Sequence, residues 1–177
     1  RARTSFMPYQ INEAVIGYGT TKPAASKDQL IAGLDRKKFQ WAHNPYLLFM
    51  SRIQEKKGLD LLIEAYRQLK GSGTNLPDLV IAGPIQQQEY AHRLKSSIPQ
   101  DGIHWIGALA GDLKWQALAA AEAVALPSHQ ENFGIVVAES LAVGTPVLIS
   151  DKVNIWREVD QANAGFVAND DLAGTCQ

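Results

Sequence analysis

The chain has 177 residues, of which 46% are hydrophobic and 20% are charged, and its formal net charge is −1. A chain of this length buries one sizeable core, and the near-zero charge, without a basic stripe between aromatic residues, argues against a nucleic-acid-binding surface. The single cysteine, Cys176, excludes an internal disulfide framework and a cysteine-based zinc site. No apolar stretch reaches the roughly 18 residues that a membrane-spanning helix needs.

The first elements along the chain are short. Residues 1–12 are mixed and aperiodic and predict an inter-domain connection, so the folded domain is expected over residues 13–177. A short strand is predicted at Ala14–Ile16, before a glycine-containing turn. A polar stretch follows, with a helical turn around Gln29–Leu34, and Tyr46–Met50 is a strongly apolar strand.

The rest of the chain alternates between helices and strands. The predicted elements are helix Leu59–Lys70, strand Leu79–Ala82, helix Gln87–Ser97, strand Ile103–Ile106, helix Leu113–Ala121, strand Ala123–Leu126, a helix from near Gly134 to Gly144, strand Pro146–Ile149, helix Ile155–Val159 and strand Gly165–Ala168. The core strands are continuous apolar runs, which is typical of a parallel sheet covered on both faces. We therefore expect an α/β fold, a Rossmann-like doubly wound parallel β-sheet with helices on both faces.

Residues 123–149 form a strand–loop–helix–strand unit that places a helix start beside the end of a strand. Open α/β sheets bind ligands at this edge, and the free N–H groups and dipole of a helix start suit a phosphate. Two carboxylates lie there, Glu131 in the polar loop Ser128–Asn132 and Glu139 in the second helical turn. Because the helix of Glu139 is apolar, this carboxylate needs a partner, either a ligand hydroxyl pair or an internal lysine or arginine.

Two cations, Arg52 and Lys57, follow the strand Tyr46–Met50. In a parallel sheet they share an edge with Glu131, where they could neutralise a diphosphate; otherwise they are ordinary surface charges. A glycosidase-like acid/base pair does not suit Glu131 and Glu139, which more plausibly grip two parts of one elongated ligand. Glu139 would then bind a ribose diol, as the acid of dinucleotide sites does. The alternative is one exposed and one internally paired glutamate.

Other chemistry-bearing patterns are weak. His129 lies two residues before Glu131 and is a further candidate to approach a ligand, whereas His104 is expected to pack within a strand. No set of His, Asp and Glu residues has metal-ligand spacing. The chain also lacks a Gly-x-Ser-x-Gly elbow, a Walker loop and a Gly-x-Gly-x-x-Gly fingerprint after a strand, which argues against hydrolase, P-loop and dehydrogenase functions.

Four segments in order resemble the C-terminal, donor-binding half of a retaining GT-B-fold glycosyltransferase of the group 1 family with the Glu-x7-Glu motif. This family includes bacterial polysaccharide mannosyl- and glucosyltransferases. The segments are Ser51-Arg52 with Lys57–Ala65, then Leu79–Gly83, Ile106-Gly107 and Leu126–Val147. Each segment is weak alone, and their order makes the resemblance specific.

The resemblance implies a donor site. Its positions in this chain are Arg52, Lys57, Gly83, Gly107, Leu109, Glu131, Asn132, Phe133, Gly134, Ile135 and Glu139. It implies that Arg52 and Lys57 hold the diphosphate and that N–H groups around Phe133–Ile135 assist. It also implies that Glu131 touches the donor sugar, that Glu139 binds the ribose, and that backbone near Gly83 and Gly107–Leu109 borders the base. Arg52, Lys57 and Glu131 are the catalytic positions that it implies.

The resemblance also implies the partners. They are a nucleotide-diphosphate sugar donor, a glycan, lipid or small-molecule acceptor, and an N-terminal acceptor domain of the same protein. No metal or cofactor is expected. The implied location is cytoplasmic, with peripheral contact to the inner face of the membrane left open. Both ends look cut, so we expect an excised domain without its acceptor half and final helix, which binds nucleotide but does not turn over.

Three departures from the family pattern bear on sugar specificity. Ser51 and Asn132 stand where glycine is common, and the loop Asp151–Trp156 lacks a frequent Gly-Gly. Two other functions stay open, a GT-B-fold sugar-nucleotide epimerase and a non-catalytic Rossmann-like nucleotide-binding domain.

Overall fold

One parallel sheet organises the computed structural model, which describes residues 19–96 and 101–177. Its six strands are β1 Tyr46–Met50, β2 Asp78–Ala82, β3 Ile103–Gly107, β4 Ala123–Leu126, β5 Val147–Ser150 and β6 Gly165–Ala168. They pair in the order β3-β2-β1-β4-β5-β6, and every pair is parallel. The predicted doubly wound parallel sheet is therefore confirmed.

Seven α-helices in the described ranges cover the two faces of this sheet. They are α1 Lys27–Gly33, α2 Leu59–Gly71, α3 Gln88–Ser96, α4 Gly111–Ala120, α5 Ile135–Ala142, α6 Trp156–Gln161 and α7 Leu172–Thr175. Helix α4 contacts both α1 and α5, while α2 contacts α7. None of the helices described here is long and apolar enough to cross a membrane.

The strands form where the sequence has short apolar runs that are buried on both faces. All four residues of β4 are buried, and four of the five in β1 are. Helix α2 buries one face, through residues that include Leu59, Leu62 and Ile63, at helical spacing. The central strands thus read as unbroken hydrophobic segments because neither face meets water.

The predicted bounds agree with the structure to within a few residues. Strands Tyr46–Met50, Ala123–Leu126 and Gly165–Ala168 have the predicted limits, and α5 lies between Gly134 and Gly144. The predicted connection at 1–12 and the strand Ala14–Ile16 lie outside the described residues.

The strand order reverses direction between β1 and β4. From β1 the chain builds outward to β2 and β3, and it then returns to place β4 on the other side of β1. Doubly wound sheets bind ligands in the crevice at the carboxyl edge of such a switch point, here at the loops that follow these two central strands. Arg52 and Lys57 follow β1, and Glu131 follows β4.

Candidate functional site

The turn after β1 is pressed against the end of β4. A 3₁₀ turn, Glu55–Lys57, ends at Gly58, which has a φ of +66° and begins α2. A Cβ at Gly58 would lie 2.0 Å from the carbonyl oxygen of Pro127, so only glycine fits this contact. The backbone N–H of His129 also donates to the carbonyl of Lys56, at 3.0 Å. This close approach brings the two central loops together.

Lys57 and Glu131 form an ion pair across this contact. The side chain of Lys57 is 5% exposed and that of Glu131 is 19% exposed, so Lys57 is not the ordinary surface charge that one sequence alternative allowed. The backbone of Glu131 is fixed on both sides, since its N–H donates to Lys152 and its carbonyl accepts from Asn154. An ammonium has three N–H donors, so Lys57 keeps capacity for a ligand anion while Glu131 holds it.

Several groups at the same edge have unused hydrogen-bonding capacity. Arg52 is exposed and forms no hydrogen bond or ion pair with any described residue. Within residues 19–96 and 101–177, the buried amide nitrogen of Gln54 and hydroxyl of Ser128 also have no partner. Buried polar groups are nearly always satisfied, and polar groups left over in a crevice favour a polar ligand there.

Helix α5 begins at this edge without a side-chain cap. Gly134 adopts a φ of +72° before it, and a Cβ there would lie 3.2 Å from Val137 and from Val153. The first N–H groups of the helix, on Ile135 and Val136, point out of its start because no earlier turn accepts them. An uncapped start with a favourable dipole suits a phosphate.

Glu139 has an internal partner. Its Oε1 lies 2.6 Å from Nζ of Lys114, which comes from α4, and the side chains are 11% and 25% exposed. The alternative in which one glutamate is exposed and the other paired is wrong, because Glu131 and Glu139 are both paired and mostly buried.

Two glycines of the implied base-binding wall are in direct contact. The N–H of Gly83 donates to the carbonyl of Gly107 at 2.8 Å. Both have positive φ values, +144° and +74°, and a Cβ at Gly83 would lie 1.8 Å from the carbonyl oxygen of Ser51. Leu109 follows, half-buried, in the loop before α4. The loops after β2 and β3 thus border the same edge of the sheet as Arg52.

His129 is paired with an acid from the loop after β6. Its Nδ1 lies 3.1 Å from Oδ2 of Asp170, and Lys152 lies 3.4 Å from the other oxygen of the same carboxylate. Burial raises the pKa of Asp170, but the hydrogen bonds from His129 and Lys152 outweigh it and hold that pKa below its usual value. His104, as expected, lies in a strand, where it contacts Asp78.

The structure thus brings most of the predicted site residues to one edge, and it adds others that the sequence did not reveal. Lys114, Lys152 and Asp170 were missed, because the pairs Lys114–Glu139, His129–Asp170 and Lys152–Asp170 join residues 18 to 41 positions apart. The one usable signal is the position of Lys114 in the first turn of a helix, where the dipole disfavours a cation. In the described part of the chain, no three His, Cys, Asp or Glu side chains are grouped to hold a metal.

Comparisons with known proteins agree with this architecture. Residues 33–173 match the family described as "Glycosyl transferases group 1". The chain is 34% identical over 138 residues to D-inositol 3-phosphate glycosyltransferase of Gordonia bronchialis. The aligned region covers 71% of this chain and 30% of that protein. It is 32% identical over 105 residues to an uncharacterized glycosyltransferase of Methanocaldococcus jannaschii, covering 59% of this chain and 26% of the relative.

Solved structures give the same result. The crystal structure of Anabaena HepE in complex with UDP-glucose superposes with a TM-score of 0.66 and 26% identity, over 76% of this chain and 37% of that one. A glycosyltransferase from Rickettsia africae shares the fold with a TM-score of 0.69, at 19% identity over 86% of this chain and 43% of that chain. The chain spans about a third of the length of the curated relatives it matches.

Proposed function

We propose, starting from the fact that this chain belongs to the glycosyl transferases group 1 family, that it is the donor-binding domain of a retaining glycosyltransferase. The intact enzyme would move a sugar from a nucleotide-diphosphate sugar to a glycan, lipid or small-molecule acceptor, in polysaccharide or glycolipid synthesis. A second domain of the same protein would supply the acceptor site, so this domain alone would bind nucleotide without turnover.

The observation that carries the proposal is the charge arrangement in the crevice between β1 and β4. Arg52 is free to bind an anion, and the buried Lys57 is held by Glu131. The uncapped start of α5 follows Glu131 by four positions, and a Cβ at Gly134 would lie 3.4 Å from Cγ of Glu131. Two cations and a helix start at the switch point of a parallel sheet provide a diphosphate site. The UDP-glucose bound by the Anabaena relative supports a nucleotide sugar as the ligand.

The proposed reaction is stabilised by electrostatics and positioning. As the bond between the sugar C1 and the diphosphate oxygen breaks, negative charge grows on the diphosphate, and Arg52 and Lys57 stabilise it. The new bond forms between C1 and the acceptor oxygen on the same face, and the acceptor proton passes to the departing diphosphate. No protein nucleophile or metal takes part in this scheme. Glu131 keeps one carboxylate oxygen for a sugar hydroxyl and Glu139 accepts from the ribose.

Calorimetry on this chain tests the proposal. We expect one of UDP, GDP or ADP to bind. We expect Arg52→Ala and Glu139→Ala each to weaken that binding by about tenfold or more, because each removes a hydrogen bond to a charged group. Arg67→Ala is the matched control, since Arg67 is an exposed arginine of α2 that pairs with Glu64.

Unchanged affinity in both variants would favour a non-catalytic nucleotide-binding domain, and no binding of UDP, GDP or ADP would contradict the proposal. Labelled nucleotide sugars given to the intact protein test the reaction itself. Transfer to an acceptor supports the proposal, whereas release of an epimerised sugar identifies an epimerase.

A further inference from the structure

We infer that Lys114 is a positioning residue, which fixes the Glu139 carboxylate so that it accepts hydrogen bonds from the ribose of the donor. The inference rests on the proposed function, because it assigns a task to a partner of the proposed ribose-binding acid.

The geometry fixes one half of the carboxylate. Lys114 is the fourth residue of α4 and Glu139 the fifth of α5, two helices in contact on one face of the sheet. The ammonium lies 2.6 Å from Oε1 of Glu139. Within the described residues the carboxylate forms no other hydrogen bond, so Oε2 is available. One oxygen is therefore held and the other can accept from a ligand hydroxyl.

Lys114 is itself fixed in place. Its Nζ lies 4.3 Å from the centroid of the Trp115 ring, and Trp115 packs against the hydrophobic core. A cation over an aromatic face is stabilised, and this contact restricts a side chain that is otherwise flexible. Two independent contacts thus define where the ammonium sits.

The position of Lys114 is unfavourable without Glu139. A lysine in the first turn of a helix faces the positive end of the helix dipole, which disfavours it. Conversely, burying the carboxylate of Glu139 costs free energy unless a counter-charge lies beside it. Each member of the pair therefore compensates the other, and the contact holds the carboxylate in one orientation.

The location connects this pair to the ligand crevice. Helix α4 starts directly after the loop Gly107–Ala110, whose first residues are those implied to border the base, and Glu139 follows the phosphate-binding start of α5. Lys114 thus joins the base side of the proposed site to its ribose acid.

The test takes whichever of UDP, GDP and ADP the chain binds, called UDP below, and compares it with its 2′,3′-dideoxy analogue by calorimetry. We expect the unaltered chain to prefer UDP by about tenfold or more, because the hydroxyls bind a charged acceptor. Lys114→Met should reduce this preference at least threefold and leave the affinity for the dideoxy compound nearly unchanged. Lys114→Arg should retain the preference, and Glu139→Gln should reduce it as well.

Lys70→Met is the matched control. Lys70 also pairs with an acid, Asp101 at 2.9 Å, and also lies over an aromatic ring, that of Tyr66 at 5.7 Å. It is near the amino ends of β2 and β3, away from the proposed site. Its removal should leave the UDP preference intact. Lys114→Gln replaces the methionine variant if the latter does not fold, and the same reduction is expected.

Two outcomes would overturn the inference alone. If Lys114→Met keeps the full preference while Glu139→Gln loses it, Lys114 has only a structural role. If Lys114→Met binds UDP more tightly, the lysine competes with the ribose. If the unaltered chain binds UDP but does not distinguish it from the dideoxy compound, the proposed ribose contact of Glu139 fails, and the inference fails with it.

Discussion

The two edges of the sheet both contain lysine–carboxylate pairs, but they bury them to different degrees. At the carboxyl edge the side chain of Lys57 is 5% exposed, whereas at the amino edge Lys70 and its partner Asp101 are 38% and 87% exposed. Burying charges costs free energy of solvation that only well-placed partners offset. The carboxyl edge therefore carries charges that stability alone does not explain, as a binding site does.

Two glycine turns, one at each edge, differ in how closely they are packed. At the carboxyl edge, a Cβ added at Gly58 would lie 2.0 Å from the carbonyl oxygen of Pro127. Gly73, in the turn between α2 and β2, also has a positive φ, +85°, but no atom lies within 4 Å of its added Cβ. The contact between the two central loops thus requires glycine at position 58, whereas the turn at Gly73 is open.

The largest expected effect is on Gly58. Gly58→Ala should lower the free energy of unfolding by about 3 kcal/mol or more, because it adds a backbone clash to the strain of a positive φ. Gly73→Ala adds only the strain of a positive φ and should lower the free energy of unfolding by about 1 kcal/mol. Urea unfolding of both variants measures the difference. Equal losses would mean that the contact with Pro127 does not hold the two loops together.

The second comparison removes one lysine from each edge. Lys57→Met should cost about 2 kcal/mol of stability, less than the roughly 3–5 kcal/mol for a fully buried pair, because Glu131 is partly exposed. Lys70→Met should change the free energy of unfolding very little, since exposed pairs are screened by water.

The double variant Lys57→Met/Glu131→Gln identifies the cause. If the loss comes from an unpaired acid, the second change should recover part of it, as urea unfolding would show. If the double variant instead has a lower free energy of unfolding than Lys57→Met, by as much as Glu131→Gln costs on its own, this explanation is wrong.

Apart from the control variants, the smallest expected effect belongs to Tyr46, at the amino edge. Its hydroxyl donates to the carbonyl of Ala117 at 2.8 Å, so Tyr46→Phe should cost about 1 kcal/mol near neutral pH. Burial raises the pKa of Tyr46 well above its ordinary value, outweighing the nearby charge of Arg36. The stabilisation is complete below the unfolded pKa of about 10 and is lost as pH rises toward the folded value.

The pH dependence therefore distinguishes the phenylalanine variant. Above about pH 10 the parent chain should lose stability faster than Tyr46→Phe, so the difference between them should shrink. Burial also raises the pKa of Tyr90, but both proteins contain it and its effect cancels. Thermal unfolding from pH 7 to 11 measures this, and parallel curves would show that Tyr46 does not contribute to alkaline unfolding.

Most of the fold could be predicted from local patterns. The strand Ala123–Leu126 is a four-residue apolar run that Pro127 ends. Its predicted limits were correct because a strand buried on both faces is apolar throughout, so its first and last residues are clear from the sequence. Helix starts were less certain. Helix α4 begins at Gly111 and not at Leu113, since its first turn is polar and exposed and carries no apolar periodicity.

The site was predictable only in part. Arg52 and Lys57 come directly after β1, and Glu131 comes after β4. These positions were enough to place the three residues on one edge, because parallel strands end on the same side of a sheet. The sequence left open whether Glu139 has an internal cation or a ligand as its partner. The structure gives Lys114, and the ribose contact stays a prediction.

By itself the sequence determined the alternation of strands and helices, the parallel sheet and the edge at which charged residues collect, because apolar periodicity and chain direction are local properties. The tertiary structure alone decided which charges meet. Lys57 reaches Glu131 across 74 positions and Lys114 reaches Glu139 across 25. Such pairings depend on how loops and helices pack against one another. The position of a residue in the sequence does not show which distant residue it will contact.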